Sequence, residues 1–423
     1  MSAPPGSKRG ILAVLSAMAA GWTGARLLTI ALPWFVLTST GSTAATGLVV
    51  MAQMGPYVVA QLLSGPYIDR IGPRRISIIG DTVATIGLAT IPVLFLLDSL
   101  SLPVLMVVIA IVGVTDGPAN AAKAVCVPAA TRTAGWRLER GTGLSGAVER
   151  TASTVGPGIA GVVVAAVGGV YALWITAALT GLGAIIVGLF VTDPPRESAE
   201  SVGYLAQLRE GADFLRSDGL LRSITGMIMV TNLLDQAFMA VLLPVWAKAN
   251  GYGPEVIGLV ISVFGATSVL ASLAAATWGH RLPRRLVYMA GFFIGGIPRF
   301  VVMALGAPIW IVVAVFAVGG LGSGFINPIV GAVKYERIPA AKLGRVSTLV
   351  TSLAWSGIPF GGLFGSAAIA AAGVPGALLA VGGLYFVATM IPGLRKEWSE
   401  MDNGADVAPK PRRPRALARS EPD

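Results

Sequence analysis

Seven ionisable side chains interrupt the long apolar stretches of this chain, where their chemistry is the binding of protons or of oppositely charged groups. They are Arg26, Asp81, Asp116, Glu149, Arg150, Asp235 and Arg299. A charge at the centre of a membrane-spanning helix costs about 2.5–3.5 kcal/mol on insertion scales, so each needs a partner or a function. Asp235, Asp116 and Glu149 are therefore candidates for carrying protons.

The remaining sequence contains no recognisable catalytic constellation. Its single cysteine, Cys126, excludes an intrachain disulfide, and its single histidine, His280, provides no metal site of familiar spacing. The nucleotide-binding pattern G-x-x-x-x-G-K-[ST] does not occur. We therefore expect no enzyme, no ATP-driven pump, no cofactor and no metal.

Composition indicates that much of the chain lies in lipid. Of its 423 residues, 54% are hydrophobic and only 12% are charged, about half the charged fraction of a soluble domain. The net charge of +10 could indicate nucleic-acid binding, but the basic residues occur in short loops between apolar runs. That placement indicates orientation in a membrane, and we expect no nucleic-acid partner.

Twelve apolar runs are long enough to cross the bilayer as helices. Each has near or above the roughly 20 residues that a spanning helix needs, and open sheets are excluded because lipid leaves their edges unsatisfied. The predicted spans are 11–38, 44–67, 76–97, 103–124, 142–166, 170–191, 221–247, 256–279, 286–306, 309–330, 346–371 and 375–393.

Basic loops alternate with loops that carry almost no positive charge, apart from Lys248. The positive-inside rule then predicts a multi-pass protein of the cell's inner (plasma) membrane with both termini in the cytoplasm. The predicted organisation has five parts. They are a cytoplasmic N-terminus at 1–10, a six-helix bundle at 11–192, a cytoplasmic linker at 193–220, a second six-helix bundle at 221–394 and a disordered tail at 395–423.

The two predicted bundles repeat one another in sequence. Pro33-Trp34 in span one matches Pro244-Val245-Trp246 in span seven, Thr46-Gly47 matches Ile257-Gly258, and Pro73-Arg74-Arg75 matches Pro283-Arg284-Arg285. Each half has an even number of spans, so both halves enter the membrane from the same side. Parallel repeats of this kind are a transporter architecture, with the substrate bound between the halves.

The loop between spans two and three carries the most specific motif. It runs from Gly65 to Arg75 and places Gly65, Asp69, Arg70, Gly72, Arg74 and Arg75 in the order of a known signature. This loop resembles that of the major facilitator superfamily. The resemblance implies an all-α fold of twelve transmembrane helices in two parallel six-helix repeats. It also implies that Asp69 holds the start of span eleven, near Leu343, and closes the cytoplasmic side. A basic loop that only sets topology is the alternative.

Span five carries a second motif, Gly156-Pro157-Gly158-Ile159-Ala160-Gly161. It is similar to the kinked motif of the drug/proton antiporters, although Ala160 stands where a glycine is usual. Asp81, Asp116-Gly117-Pro118 and Leu208-Arg209-Glu210-Gly211 resemble exporters that include macrolide-efflux and siderophore-secretion proteins. The alternative for Gly156, Pro157 and Gly161 is an ordinary helix kink.

In this fold, spans one, four, seven and ten line the central cavity, which implies that Arg26 and Asp235 face it at mid-depth. We predict that Asp235 is the main proton carrier, because a carboxylate shielded from water binds a proton more readily. Arg26 would pair with Asp235 or bind an anionic group of the substrate. A structural ion pair across the two halves is the alternative, and Arg299 is expected to lie at the periphery or against a neighbouring helix.

Two further groups complete the predicted site. Glu149 and Arg150 are expected to join Asp81 and Asp116, or the signature loop, in a structural or gating network of charges. The apolar candidates for lining the cavity are Trp22, Trp34, Met229, Phe238 and Phe325.

Together these features predict a secondary active transporter that exports small amphipathic molecules by alternating access, coupled to protons. The expected partners are the small-molecule substrate, protons and the lipid bilayer, with sodium left open as the coupling ion, and the expected state is a monomer. Two alternatives remain. One is a uniporter or importer of a small nutrient in the same fold, and the other is a membrane sensor that transports nothing.

Overall fold

Ten helices that are long and apolar enough to cross a membrane dominate the computed structural model, which describes residues 7–193, 204–278, 282–339 and 342–402. In these ranges the regular elements are all helical. The α-helices are α1 (Arg9–Thr40), α2 (Thr43–Ile71), α3 (Pro73–Leu96), α4 (Leu102–Thr133), α5 (Leu138–Phe190), α6 (Tyr204–Ser217), α7 (Gly219–Ala237), α8 (Leu243–Ala249), α9 (Pro254–Trp278), α10 (Arg284–Ala304), α11 (Ile309–Ser323), α12 (Ile326–Arg337), α13 (Leu343–Trp355) and α14 (Ile358–Gly393).

Two of these helices reverse direction and therefore cross twice. α5 has 53 residues and turns at Gly168, whose φ of 83° is open to glycine but strained for other residues. Ser153, before the turn, bonds Arg26 of α1, whereas Gly183, after the turn, lies beside Ala17 of the same helix. α14 turns in the same way at Gly373, with φ 66°. The predicted twelve crossings are thereby confirmed.

Span seven contains a local change of helix type. A five-residue π-helix, Phe238–Leu242, joins α7 to α8, and Pro244 follows it immediately. Pro244 has no N–H to donate to the preceding turn, and its ring crowds that turn's carbonyl. A wider π turn at this point relieves the crowding, and such bulges are frequent at functional sites. The equivalent Pro33 lies inside α1, which stays α-helical.

The two ends of the bundle differ in charge. We call the end at which α2 stops and α3 starts the basic side, because Arg70, Arg74, Arg132 and Arg337 lie at helix ends there. The other end, where α1 meets α2 and where α5 and α14 turn, is the opposite side. This distribution matches the alternation of loop charge in the sequence.

The chain that follows the last span folds back onto the basic side. Lys396–Met401 is a short 3₁₀-helix, and Trp398 is fully buried against Tyr288, with its indole Nε1 donating to Ser223 Oγ at 2.9 Å. The prediction of a disordered tail from residue 395 is therefore wrong for 395–402, because one aromatic side chain secures the segment. Residues 403–423 lie outside the described residues.

The linker between the halves also contains a helix. This helix is α6, and Lys342 at the start of α13 pairs with Glu210 of α6 at 3.3 Å. The second bundle begins at Gly219, close to the predicted 221. Residues 194–203 of the linker and 279–281 of the second basic loop, including His280, lie outside the described residues.

Candidate functional site

The two halves meet closely at the opposite side through pairs of glycines. Gly47 of α2 crosses Gly362 of α14: a Cβ placed on Gly47 would lie 2.5 Å from the Gly362 carbonyl oxygen. Gly258 of α9, the repeat counterpart of Gly47, crosses Gly161 of α5, and a Cβ on Gly258 would lie 3.0 Å from the Gly161 Cα. Only glycine permits such backbone approach, so both crossings seal this side.

Two hydrogen bonds between the halves reinforce the seal. Ser366 Oγ of α14 donates to the carbonyl of Thr43 at 2.7 Å, and Lys248 Nζ donates to the carbonyl of Leu37 at 2.9 Å. Each bond ends on a main-chain oxygen near the end of α1 or the start of α2. On the opposite side, main-chain contacts therefore close the molecule, and two side chains of the second half bond to the main chain of the first half.

The kink motif of span five packs against both halves. A Cβ on Gly156 would come within 3.0 Å of the Arg26 side chain, so this glycine makes room for Arg26 in its own half. Gly161 makes the crossing with α9, and the Pro157 carbonyl would lie 2.5 Å from a Cβ on Gly258. The predicted Gly156, Pro157 and Gly161 thus all lie at packing contacts.

Toward the basic side the halves separate. A cleft of about 320 Å³ lies between α2 and α13, lined by Val58, Gln61, Leu62, Ser347, Thr348, Thr351, Ser352 and Trp355. A groove of about 530 Å³ also runs along the first turns of α5 on this side, and its lining includes Glu139 and Arg150. The molecule is therefore closed on the opposite side and open on the basic side.

The signature loop does not close that opening in this conformation. Asp69, Arg70 and Arg75 are exposed, and no ion pair joins them to another described residue. Gly72 adopts a φ of 103°, which explains the need for glycine at the turn. Gly65, expected to permit close helix packing, has no atom of a neighbouring residue within 4 Å of its Cβ position.

Arg74 of the loop packs within its own half. Its guanidinium donates to the Gly188 carbonyl near the end of α5, and its main-chain N–H donates to Asp193 Oδ1 at 3.1 Å. The second half repeats this arrangement at Arg285, which donates from Nε to the Gly393 carbonyl at 2.9 Å and from its N–H to Asp402 Oδ1 at 3.0 Å. These basic residues join the third span of each half to the sixth.

Asp235 lies near the middle of the 31-residue span Gly219–Ala249 and pairs with Arg299 of α10. The Arg299 side chain is only 6% exposed, and that of Asp235 is 38% exposed. The guanidinium carbon of Arg299 lies 4.8 Å from the ring centre of Phe238, with Phe300 at 4.9 Å and Tyr385 at 5.4 Å. Three aromatic rings thus surround the Arg299 guanidinium, while the side chain of its partner Asp235 is partly exposed.

This pair corrects the expected partner of Asp235. Arg26 is not that partner, and the ion pair lies within the second half rather than across the two halves. Arg299 is buried against the rings of neighbouring helices, which agrees with the second of the two positions expected for it. Phe238 is 0% exposed and packs on Phe300 and Phe316, so it does not line a cavity.

Arg26 belongs to a polar group in the first half. Its Nη2 donates to Ser153 Oγ at 2.9 Å, and its guanidinium lies 5.7 Å from the Trp22 ring centre. Glu149 and Tyr57 interact with it electrostatically. Glu149 and Arg150 are both exposed, and Arg150 lines the groove along the first turns of α5.

The most deeply buried ion pair among the described residues involves a residue that the sequence analysis missed. Lys123 Nζ of α4 lies 2.8 Å from Asp81 Oδ1 of α3, and the two side chains are 2% and 1% exposed. The predicted partners of Asp81, Glu149 and Arg150, are not in this pair. Lys123 escaped notice because span four was expected to end at residue 124, whereas α4 continues to Thr133.

Asn120 connects that pair to the predicted candidate Asp116. Its amide Nδ2 donates to Asp116 Oδ1 at 3.1 Å, and Lys123 Nζ lies 3.5 Å from its Oδ1. Asp116 also interacts electrostatically with Tyr57 of α2. The polar chain therefore runs from the buried α3 carboxylate to the partly buried Asp116.

A family profile described as the Major Facilitator Superfamily matches residues 11–234 and again 225–421, once for each half. The chain belongs to the Major Facilitator Superfamily. The match confirms the resemblance read from the signature loop and the fold of two parallel repeats. In a protein of this superfamily, the glycine crossings and the open basic side describe one end state of a transporter.

Similar proteins cover almost the whole chain. It is 29% identical over 417 residues to the multidrug efflux pump Tap of Mycolicibacterium fortuitum, which spans 96% of this chain and 99% of that protein. It is also 29% identical to Tap of a Mycobacterium tuberculosis strain, covering 90% and 92%. The crystal structure of the nucleoside transporter NupG superimposes with a TM-score of 0.74 at 16% identity, covering 91% and 98%, and supports the superfamily fold.

The remaining cavity candidates are partly buried. Trp22, Trp34, Met229 and Phe325 each retain some exposed surface, in contrast to Phe238. The Met229 carbonyl would lie 2.5 Å from a Cβ on Gly357, at the break between α13 and α14. Asn232, one turn later, donates to the Ala354 carbonyl at 2.8 Å. This hydrogen bond joins α7 to span eleven next to the break between α13 and α14.

Proposed function

We propose that this superfamily member exports small amphipathic molecules from the cytoplasm in exchange for protons. The near-complete coverage by multidrug efflux pumps supports export, and the carboxylates inside the bundle support coupling to an ion. The basic side is the cytoplasmic side of the plasma membrane under the positive-inside rule, which places both termini in the cytoplasm. The protein works as a monomer, because each chain contains both halves of the site.

The partial exposure of Asp235 is the main observation that supports this proposal. Its carboxylate is partly exposed at mid-span, but its partner Arg299 is buried in an aromatic enclosure and cannot follow it into the cavity. A cationic group of a substrate can therefore share the free face of this carboxylate. The partly exposed candidates Trp22, Trp34, Met229 and Phe325 would supply the apolar surface that an amphipathic molecule requires.

The export cycle follows from the open and closed sides. Substrate enters from the cytoplasm through the basic-side cleft between α2 and α13. Closure then brings the exposed Asp69 to the start of α13 near Leu343, and the Gly47–Gly362 and Gly258–Gly161 crossings separate. The gradient supplies about 2.3 kcal/mol per elementary charge for each 100 mV, together with the pH difference, to drive the return.

Efflux of ethidium from energised cells tests this function. Cells that express the protein are preloaded with ethidium, and fluorescence is followed with and without a protonophore. We expect faster efflux than in cells with an empty vector, and collapse of that difference with the protonophore. Efflux that persists without a gradient would contradict proton coupling. No excess efflux of ethidium, tetraphenylphosphonium or doxorubicin would contradict export of amphipathic cations.

A further inference from the structure

We propose that the coupling proton resides in the first half, in the buried cluster of Asp81, Lys123 and Asp116, with Asp116 as the group that binds it. The role of this proton in transport rests on the proposed proton-driven export, whereas its location does not.

The charges of the second half are already balanced. Asp235 and Arg299 form one carboxylate–guanidinium pair, and Arg299 is held by three rings. Protonating Asp235 would leave the arginine as an uncompensated buried cation, which a low-dielectric interior strongly disfavours. The pair is therefore most stable with Asp235 ionised and ready for a cationic substrate.

The cluster of the first half has one carboxylate in excess. Asp81 and Asp116 are two anions, and Lys123 is the single ammonium that contacts them directly or through Asn120. Asn120 bonds Asp116 and lies 3.5 Å from Lys123, so the three charged groups belong to one cluster. Two carboxylates that share one cation bind one proton, because that brings the buried charge to zero.

The other polar groups around the cluster do not supply the missing positive charge. On α1, Arg26 bonds Ser153 and interacts with Glu149 of α5, so that cation and that anion offset each other. On α2, Tyr57 interacts with Asp116 and is itself neutral when protonated. On the returning arm of α5, Gly183 faces Asp81 with a Cβ position 3.3 Å from Oδ2.

Contacts within the cluster place the proton on Asp116. Lys123 Nζ donates directly to Asp81 at 2.8 Å, and this charge-assisted bond stabilises the ionised form of Asp81 relative to that of Asp116. Asp116 accepts only from the neutral amide of Asn120 among the bonds that the described residues show. Asp116 is partly exposed, so its O–H proton can pass to water, leaving the carboxylate behind.

Infrared spectroscopy of the purified full-length protein tests this assignment without a substrate. A protonated carboxyl group has a C=O stretch that is distinct from the amide and carboxylate bands. We expect the wild type to show one such band, which disappears when the pH is raised. Asp116→Asn should remove it, and the matched variant Asp235→Asn should retain it.

Three further variants test the charge count itself. Asp81→Asn should also remove the band, although Asp116 is intact, because Lys123 then balances Asp116. Lys123→Met should about double the band area, because both carboxylates lose their cation. The double variant Asp81→Asn/Lys123→Met should restore the single band, and it keeps the test decisive if Lys123→Met alone fails to fold.

Certain results would overturn the inference. A wild-type protein with no titrating carboxyl band, a band that survives Asp116→Asn, or a band lost only in Asp235→Asn would each contradict it. A band that follows the charge count in a protein without proton-driven efflux would leave the proton site standing and reject the proposed function.

Discussion

Gly47 of α2 and Gly362 of α14 lie in direct main-chain contact: a Cβ on Gly362 would be 2.9 Å from the Gly47 carbonyl oxygen. Gly258, the repeat counterpart of Gly47, makes the same kind of contact with Gly161. The two halves are thus sealed on one side by a pair of symmetry-related crossings, each without an intervening side chain.

Replacing Gly47 with Ala should destabilise this closed side. The added methyl group would overlap the Gly362 carbonyl, and overpacking of this kind typically costs about 1–3 kcal/mol. We expect a lower melting temperature of the detergent-purified protein and increased labelling of a cysteine introduced near Thr43 by a membrane-impermeant reagent. Gly65→Ala in the same helix is the control, since its Cβ position is free of neighbours. Equal behaviour of the two variants would argue against the seal.

Asp235→Asn tests whether this residue binds a cationic substrate or carries the coupling proton. The variant leaves Arg299 buried without its anion, which typically costs about 3–5 kcal/mol, so a large fall in melting temperature is expected. Binding of tetraphenylphosphonium, measured by equilibrium dialysis, should weaken at least tenfold, while the titrating carboxyl band persists. If Asp235 is the main proton carrier, as the sequence suggests, the band should disappear instead.

The signature-loop residue Asp69 should matter for the cycle and not for the stability of the present state. Asp69 is exposed and unpaired among the described residues, so Asp69→Asn should change stability by no more than about 0.5 kcal/mol. Energised efflux should nevertheless fall strongly, because the basic side can no longer be held closed. Efflux at the wild-type rate would support the alternative that this loop only sets topology.

Trp398→Ala should loosen the segment that follows the last span. The indole is fully buried, stacks near Tyr288 and bonds Ser223, and truncating such a side chain typically costs about 3–5 kcal/mol. The expected result is a lower melting temperature and faster proteolysis after Arg395. Lys396→Ala, two residues earlier and exposed, should behave like the wild type. Unchanged protease resistance in Trp398→Ala would contradict the docking.

Sequence reasoning succeeded where a local pattern determines the structure. Apolar run length predicted the crossings, and Gly72 marked a turn whose positive φ requires glycine. The signature loop and the internal repeat led to the superfamily, which the profile match confirmed. These features are encoded within single segments, so one sequence suffices to recognise them.

Pairing between segments was harder to predict. Asp235 and Arg299 are 64 positions apart, and their contact depends on how α7 packs on α10, so Arg26 looked equally suitable. Lys123 lies at the edge of an apolar run and resembled a loop residue, although it is 3% exposed. Trp398 follows a charged stretch, and only its contacts with distant helices, at Tyr288 and Ser223, show that the chain there is folded.

The main-chain seal also has an evolutionary consequence. A contact made of backbone atoms has no side chain whose size mutation could change in small steps. Any substitution at Gly47, Gly161, Gly258 or Gly362 therefore disrupts the contact between the halves. Changes of drug-resistance profile in descendants of this protein should therefore accumulate around the cleft between α2 and α13, while the glycines of both crossings stay constant.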